Sequence, residues 1–496
     1  MATPFFKLCG LLLSALAFVY ISTPQVSDPQ TALDRKYPDI ASSLARELGS
    51  IYRERQLYGD FGLAIVDEKG LVRSVLLNRD LLEGNPSMLS NDSPIYIASH
   101  TKSFTATLLK VLEEKGKLDL NASLSTYLPE LHYQDSLDTQ KISVKSLLNH
   151  THGTFGTRFA YKTAFLGYKG GNDELINDLN TDFKYDPSHV FRYSNVGPII
   201  AAMVAERATG NSWKEEMGKE LFGPLEMVNS SAKVSDYPPH SVRPSVTATS
   251  ERGIVHTGFY KEDITMHASG GIISSLTDLS KWLSANIRQD DRILSKTSWK
   301  ELHNVTTDQD KDYFTYHRYG YSLGWDLAEY QGDTLLTRFG GLAGISFHIS
   351  FMPRKKMGII AFSTDNRAYN LPHLMADYAY NQLNSKVADS LFKAEKQLFE
   401  KSFELEDNIV YPKKSDLWQI SPENDRYLGL YQNSSGWPHI KIGKNNDRYT
   451  LKWGVLQGDI HTGEDAQTAS LGVFDRNFTI KNDTLITGSL IYVKKK

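Results

Sequence analysis

Two groups of strand-forming sequence stand far apart in this chain, and they constrain its fold more than any other feature. Phe61-Gly-Leu-Ala-Ile-Val-Asp and Leu71-Val-Arg-Ser-Val-Leu-Leu flank Asp67-Glu-Lys-Gly70, a hairpin pattern with glycine closing the turn. Much later, Thr334-Leu-Leu-Thr-Arg-Phe-Gly-Gly, the alternating Ile345-Ser-Phe-His-Ile-Ser-Phe-Met and Met357-Gly-Ile-Ile-Ala-Phe-Ser-Thr repeat the pattern. The sequence between them is mostly helical, and apolar spacing also predicts helices over Ile40–Arg55 before the hairpin and about Leu371 to Leu383 after the last strand. A lone hairpin is marginal in water, so the two ends are expected to share one antiparallel sheet in an α+β arrangement.

The most informative helix start lies inside that middle. Tyr96-Ile-Ala-Ser-His-Thr-Lys-Ser-Phe leads into an apolar face of Phe104, Leu108, Leu109, Val111 and Leu112 that Gly116 ends. Ser99 and Lys102 are three residues apart, so the lysine sits one turn above the hydroxyl on the same face. A helix N-terminus adds free N–H groups and partial positive charge, which suit the oxyanion of an acyl-transfer intermediate. The same spacing also describes an ordinary serine-capped helix with a surface lysine.

Other local signals are weaker alone. His150 and His152 alternate about Thr151, a spacing open to a metal in a strand, but with no third ligand nearby and Gly153 following, a structural role at a helix end is favoured. Phe191-Arg-Tyr-Ser-Asn-Val-Gly precedes an apolar helix, Pro198 to Thr209, closed by Gly210; Tyr193 and Asn195 share a side if this stretch is extended. Ala268-Ser-Gly-Gly-Ile-Ile-Ser-Ser opens another helix, with Ser275 or Thr277 as its cap.

At 496 residues the chain exceeds a single core, and residues 385–425 read as a charged, partly helical linker. Residues 426–496 carry short strands at regular intervals, the pattern of a small antiparallel barrel or sandwich. With 55 Lys+Arg against 58 Asp+Glu, the charge balance suggests neither nucleic acid nor an anionic membrane surface as partner. The one cysteine, Cys9, lies in an N-terminal apolar run, Leu8 to Ile21, preceded by Lys7. Residues 1–23 are therefore expected to be a signal peptide, with an uncleaved anchor and membrane tether as the alternative, and the protein to be exported to the periplasm or the outside. Neither a metal nor any other cofactor is expected.

Taken in order, Ser99-His-Thr-Lys102, Tyr127-Leu-Pro-Glu, Ser146-Leu-Leu-Asn-His-Thr-His-Gly153, Tyr193-Ser-Asn195, Pro224-Leu-Glu-Met227, Ser269-Gly-Gly and Tyr321-Ser-Leu-Gly-Trp325 give residues Lys36 to Asn384 their character. This region resembles the serine β-lactamase-related hydrolases, which include class C β-lactamases, penicillin-binding proteins, D-aminopeptidases and carboxylesterases. The resemblance implies a β-lactamase/DD-peptidase-like antiparallel sheet flanked by helices, with a helical subdomain, over residues 36–384, and a small C-terminal β-barrel-like domain akin to a lipocalin.

It further implies Ser99 as the acylated nucleophile, Lys102 and Tyr193 as a proton-transfer pair, and Asn195 as the group that orients the substrate amide or the lysine. Ser99 and Gly341 would supply the backbone oxyanion hole. The family's third motif, a Lys or His, a hydroxyl residue and a glycine, falls here on Arg338-Phe339-Gly340, which by the resemblance would bind substrate; it keeps the charge, so that Arg338 could hold a free carboxylate if it points into the pocket, and loses the hydroxyl. That departure points away from β-lactam recognition and towards apolar substrates. The function so implied is an exported serine hydrolase acting through acyl-Ser99 on an ester or amide, such as a short-chain ester, a D-amino-acid peptide or a β-lactam-like compound. The alternatives are an inactive relative that binds cell-wall peptide or a protein partner, and a surface adhesion module resting on the β domain alone.

Overall fold

The computed structural model describes residues 39–132, 138–168, 171–182, 184–186, 188–249, 253–256, 261–384, 388–407, 416–463, 466–471 and 474–495. The expected signal segment with Cys9 lies outside them. Helix α1 (Ile40–Arg55) turns Ile40, Leu44, Leu48, Ile51 and Tyr52 inward and feeds the hairpin β1 (Phe61–Asp67) and β2 (Gly70–Leu77). After the helical region, which includes α2 (Thr101–Glu114), α3 (Val196–Thr209) and α4 (Leu276–Arg288), six strands follow. These are β3 (Thr307–Tyr313), β4 (Tyr316–Tyr321), β5 (Asp326–Tyr330), β6 (Asp333–Leu342), β7 (Ile345–Met352) and β8 (Met357–Ser363).

Among the described residues they form one eight-stranded sheet, ordered β2-β1-β8-β7-β6-β5-β4-β3. Every pairing is antiparallel, and the two ends of the chain meet where Phe61 lies opposite Ser363 and Asp67 opposite Met357. β1 and β8 are covered on both faces, which explains their nearly continuous apolar sequence. The alternation of β7 suggests a strand with one open face, but it too is buried along its whole length, with His348 and Ser350 bonded to each other and Ser350 to Tyr380. α4, capped by Ser275, packs on one face, with Trp282 stacked on Phe104 of α2 at 3.9 Å. α5 (Leu371–Asn384) lies against β8, and a single core joins sheet and helical region.

The region read as a linker holds more order than that. Residues Ala388–Asp407 form a helix, α6, whose Phe392, Phe399 and Phe403 are buried; Phe392 meets Tyr378 of α5 at 4.6 Å, and Lys396 pairs with Glu47 of α1 at 3.0 Å. Beyond it, β9 (Gly429–Gln432), β10 (Ile440–Asn445), β11 (Arg448–Trp453), β12 (Leu456–Thr462), β13 (Gln467–Leu471), β14 (Phe474–Lys481), β15 (Thr484–Thr487) and β16 (Leu490–Lys494) make a closed up-and-down antiparallel barrel. Its interior is filled by Tyr431, Tyr449, Trp453, Ile460, Phe478 and Tyr492. The barrel core also takes in Leu166 from the helical region, and Tyr161 and Phe165 pack against it.

Candidate active site

The turn before α2 sets the position of Ser99. Ile95–Tyr96 pairs with Ile273–Ser274, and Ala98–His100 then forms one 3₁₀ turn that runs into α2. Ala98 is held at φ 48°, a left-handed conformation that costs a non-glycine residue roughly 1 to 2 kcal/mol. The consequence is a sharp corner with Ser99 at its outer edge. Gly340 makes that corner possible, because a Cβ there would stand 2.8 Å from Ile97 O and 3.1 Å from Ser99 N.

Lys102 Nζ lies 3.1 Å from Ser99 Oγ, 2.7 Å from Asn195 Oδ1 and 2.9 Å from the Ser269 carbonyl. Asn195 and Ser269 accept from nitrogen and cannot both be supplied unless two of its protons face them, so the one position free to gain or lose a proton faces Ser99. Tyr193 Oη stands 3.0 Å from the same Ser99 Oγ. Asn195 occupies the N-cap position of α3 yet makes no side-chain cap bond, its amide oxygen being engaged by Lys102.

Burial of Lys102, aided by the nearby Arg338 cation, pulls its amine down to about 8. Desolvation would push the Tyr193 phenol up, but Arg338 and Lys102 outweigh it and bring it to about 8 as well. Although 44 % of the Tyr193 surface is open to the cleft, its ring covers both cations, 4.8 Å from Lys102 Nζ and 4.6 Å from the Arg338 guanidinium. Two groups of matched proton affinity thus flank one hydroxyl.

The structure moves the other expected residues to different places. Arg338 does not reach into the cleft: it is buried, donates to Asp326 at 2.8 Å and lies 3.4 Å from the Ser99 carbonyl. Phe339, one residue along an extended strand, faces the opposite side and packs on His373 at 3.8 Å and Tyr313 at 4.4 Å. Gly340 closes on the Ile97–Ser99 turn rather than on substrate space. Gly341 does line the cleft beside Ser99.

His150 and His152 are buried; the first meets Tyr321 Oη at 3.2 Å and the Tyr193 ring at 4.8 Å, the second is tied to Thr154. Among the described residues no three His, Cys, Asp or Glu side chains gather as a metal site, and no helix is long and apolar enough to cross a membrane. Sequence reasoning quoted Ser269 without giving it the lysine, and missed Asp326, whose only signal is its place on the strand beside Arg338.

The cleft itself has a volume of about 490 Å³ and is lined by the aromatic rings of Phe155, Tyr161 and Phe165 as well as by Ser99, Tyr193 and Gly341. A family model described as Beta-lactamase matches residues 63–381, more than half of the chain. The chain belongs to the Beta-lactamase family. Among curated proteins it is similar to an unguisins hydrolase of Aspergillus campestris, 23% identical over 314 residues, covering 60% of this chain and 57% of that protein. Protein flp of Staphylococcus aureus is 22% identical over 300 residues, covering 60% and 58%. The match therefore spans a little over half the length of these relatives. Among solved structures, the octameric penicillin-binding protein homologue from Pyrococcus abyssi superposes with a TM-score of 0.61 at 19% identity, over 91% of this chain and 99% of its own. D-amino acid amidase from Ochrobactrum anthropi gives 0.56 at 18% identity, over 74% and 99%. At such identities these two likenesses speak for the fold.

Proposed function

We propose that the protein is a serine hydrolase that cleaves an ester or amide through an acyl-Ser99 intermediate. The observation that carries this reading is Ser99 Oγ held between Lys102 and Tyr193, at 3.1 and 3.0 Å, on a strained corner. With both neighbours near 8, the pair takes the hydroxyl proton as Ser99 attacks the substrate carbonyl, and returns it to the leaving alkoxide or amine as the tetrahedral intermediate collapses. The N–H groups of Ser99 and Gly341 are the donors offered to the oxyanion. Water then repeats the attack, freeing the acid and restoring Ser99.

The similar proteins include a hydrolase of unguisins and a D-amino acid amidase, which supports a small amide or peptide among the substrates. The alternative of an inactive binding protein draws its support from the Arg338-Phe339 departure; with Arg338 held under Tyr193 and Phe339 packed on His373, that departure leaves Ser99, Lys102 and Tyr193 in contact. The test is intact-mass measurement after incubation with a fluorophosphonate and with a panel of esters, D-peptide amides and penicillin. One adduct on Ser99, absent in Ser99→Ala, is expected; labelling that persists in Ser99→Ala sinks the reading.

A further inference from the structure

A second lysine opens on the same cleft. Lys261 is 3% exposed and lines the cavity that Ser99 lines. Its Nζ donates to two backbone carbonyls, Ala164 O at 2.8 Å and Thr265 O at 3.0 Å, and no carboxylate lies within ion-pair distance of it among the described residues. An ammonium carries three protons, so two carbonyls leave one unserved. Buried cations are otherwise nearly always paired: Lys162 meets Asp178 at 2.8 Å and Lys110 meets Glu113 at 2.6 Å, while Lys102, the other buried lysine without a carboxylate, is held by Ser99, Asn195 and the Ser269 carbonyl at the reacting centre.

The surroundings favour an anion as the absent partner. None of the described residues lining the cleft is an aspartate or glutamate, while Arg192 lies on its rim with its guanidinium 3.7 Å from the Phe155 ring centroid. Burial and the neighbouring Lys214 cation draw the Lys261 amine down to about 7, the response of a cation that lacks a counter-charge. Phe165, which lines the same cleft, stacks beneath it at 5.8 Å. The two carbonyls come from different segments, one beside Phe165 and one two residues before His267, so the amine is fixed in place rather than free to swing out to water.

We infer that Lys261 is a specificity residue that receives a carboxylate of the substrate, the aromatic rings of Phe155, Tyr161 and Phe165 taking an apolar or aromatic group beside it. The inference rests on the cleft being the substrate site of the proposed hydrolase. The substrate class is thus an ester or amide that carries a free carboxylate away from the bond that is cut. Charge-assisted contact in a dry site would discriminate such a substrate from its neutral counterpart by an order of magnitude or more.

The test uses full-length Ser99→Ala and the phenyl monoesters of succinic, glutaric and adipic acid, each against its primary-amide counterpart, with binding measured by calorimetry. At one chain length or more the carboxylate is expected to bind at least tenfold tighter than the amide. That ratio should fall to within twofold of one in Ser99→Ala/Lys261→Met and Ser99→Ala/Lys261→Gln. A ratio near one in Ser99→Ala at all three lengths overturns the inference, and so does a ratio that survives both lysine substitutions. If neither double variant folds, the ratio in Ser99→Ala alone decides. Acylation of the wild-type protein by the same esters is scored separately by mass: no adduct there counts against the hydrolase reading, whereas the binding ratios speak only to Lys261.

Discussion

At the scale of single residues, the proposed chemistry would rest on Lys102 and Tyr193 beside Ser99, and on the Arg338 cation that lowers both. Replacing Lys102 by Ala or Tyr193 by Phe is expected to lower turnover by about two to four orders of magnitude, the usual contribution of a positioned acid or base. Near-normal rates in both would remove the pair from the chemistry. Arg338 acts at one remove. Its guanidinium lowers both the Tyr193 phenol and the Lys102 amine, so Arg338→Gln should raise both. The alkaline-going limb of the pH–rate profile would then move to higher pH, with maximal rate changed less than in the Lys102 or Tyr193 variants. An unmoved limb would show that Arg338 serves only to neutralise Asp326. Arg338 is poorly placed for the carboxylate recognition its sequence position suggests, because it is buried outside the cleft lining with Nη1 held by Asp326 and Nε turned to the Ser99 carbonyl.

At the scale of elements, what was legible followed from periodicity and what was hidden depended on tertiary partners. The helix over Ile40–Arg55, the hairpin, the strands from Ile345 to Ser363 and the serine turn could be read because each bears its own pattern. Strands β3 to β5 could not: Thr-Asp-Gln-Asp-Lys-Asp-Tyr in β3 is an exposed edge strand with the charge that guards such edges, and it has no apolar face to announce it. β12 and β15 escaped because the first, Leu-Gln-Gly-Asp-Ile-His-Thr, is mostly polar and the second is only four residues long. The convergence of Ser99, Lys102, Tyr193 and Asn195 was legible only through ordered motifs, since nothing local in Tyr193-Ser-Asn195 reports the lysine it meets. Helix α6 was masked by its charge. One of its residues, Glu395, is buried and accepts from Tyr330 Oη at 2.6 Å and Asn381 Nδ2 at 3.1 Å, and burial pushes its carboxyl up to about 7. A carboxyl raised in the folded state stabilises most below its unfolded value of 4.5 and loses that contribution as pH rises through about 7, a span worth about 3 kcal/mol. Asp377 beside it is raised in the same direction. Denaturant midpoints of the native protein should therefore fall between pH 5 and pH 8, and Glu395→Gln should flatten that slope. A slope unchanged by the substitution would place the titrating group elsewhere.

At the scale of the whole molecule, the question is which part of the C-terminal region the catalytic core requires. The domain reading of the sequence, with residues 385–425 as a linker, expects a chain cut after Asn384 to fold. Helix α6 opposes that expectation: it clamps α1 to α5 through Phe392, Phe399 and Phe403, pairs Lys396 with Glu47, and sets Phe403 under the Arg55 guanidinium at 5.2 Å. Removing it would expose three buried phenylalanines' contacts, each worth on the order of 1.5–3 kcal/mol. The barrel is joined to the core differently, over the cleft wall: Arg158 donates to the Ser435 carbonyl, Lys162 Nζ to Gly436 O at 3.2 Å, and Val455 N to Leu166 O at 3.0 Å. Tyr161 meets Trp453 at 5.7 Å and Trp437 at 6.0 Å. A chain ending at Asp407 keeps α6 and loses these wall contacts together with the packing of Phe165, Leu166, Leu342 and Ala343 on the barrel. It is therefore expected to fold, to melt at lower temperature, and to be acylated at Ser99 by a small ester more nearly at the normal rate than by a bulky aromatic one, because Tyr161 and Phe165 lose their backing. A chain ending at Asn384 is expected to aggregate or to bind a hydrophobic dye as a loosened globule. Thermal melts and Ser99 labelling of the two truncations, measured side by side, decide the matter: if the shorter chain is as stable as the longer, α6 is a connector after all, and if the longer chain labels with unaltered selectivity, the barrel does not shape the cleft.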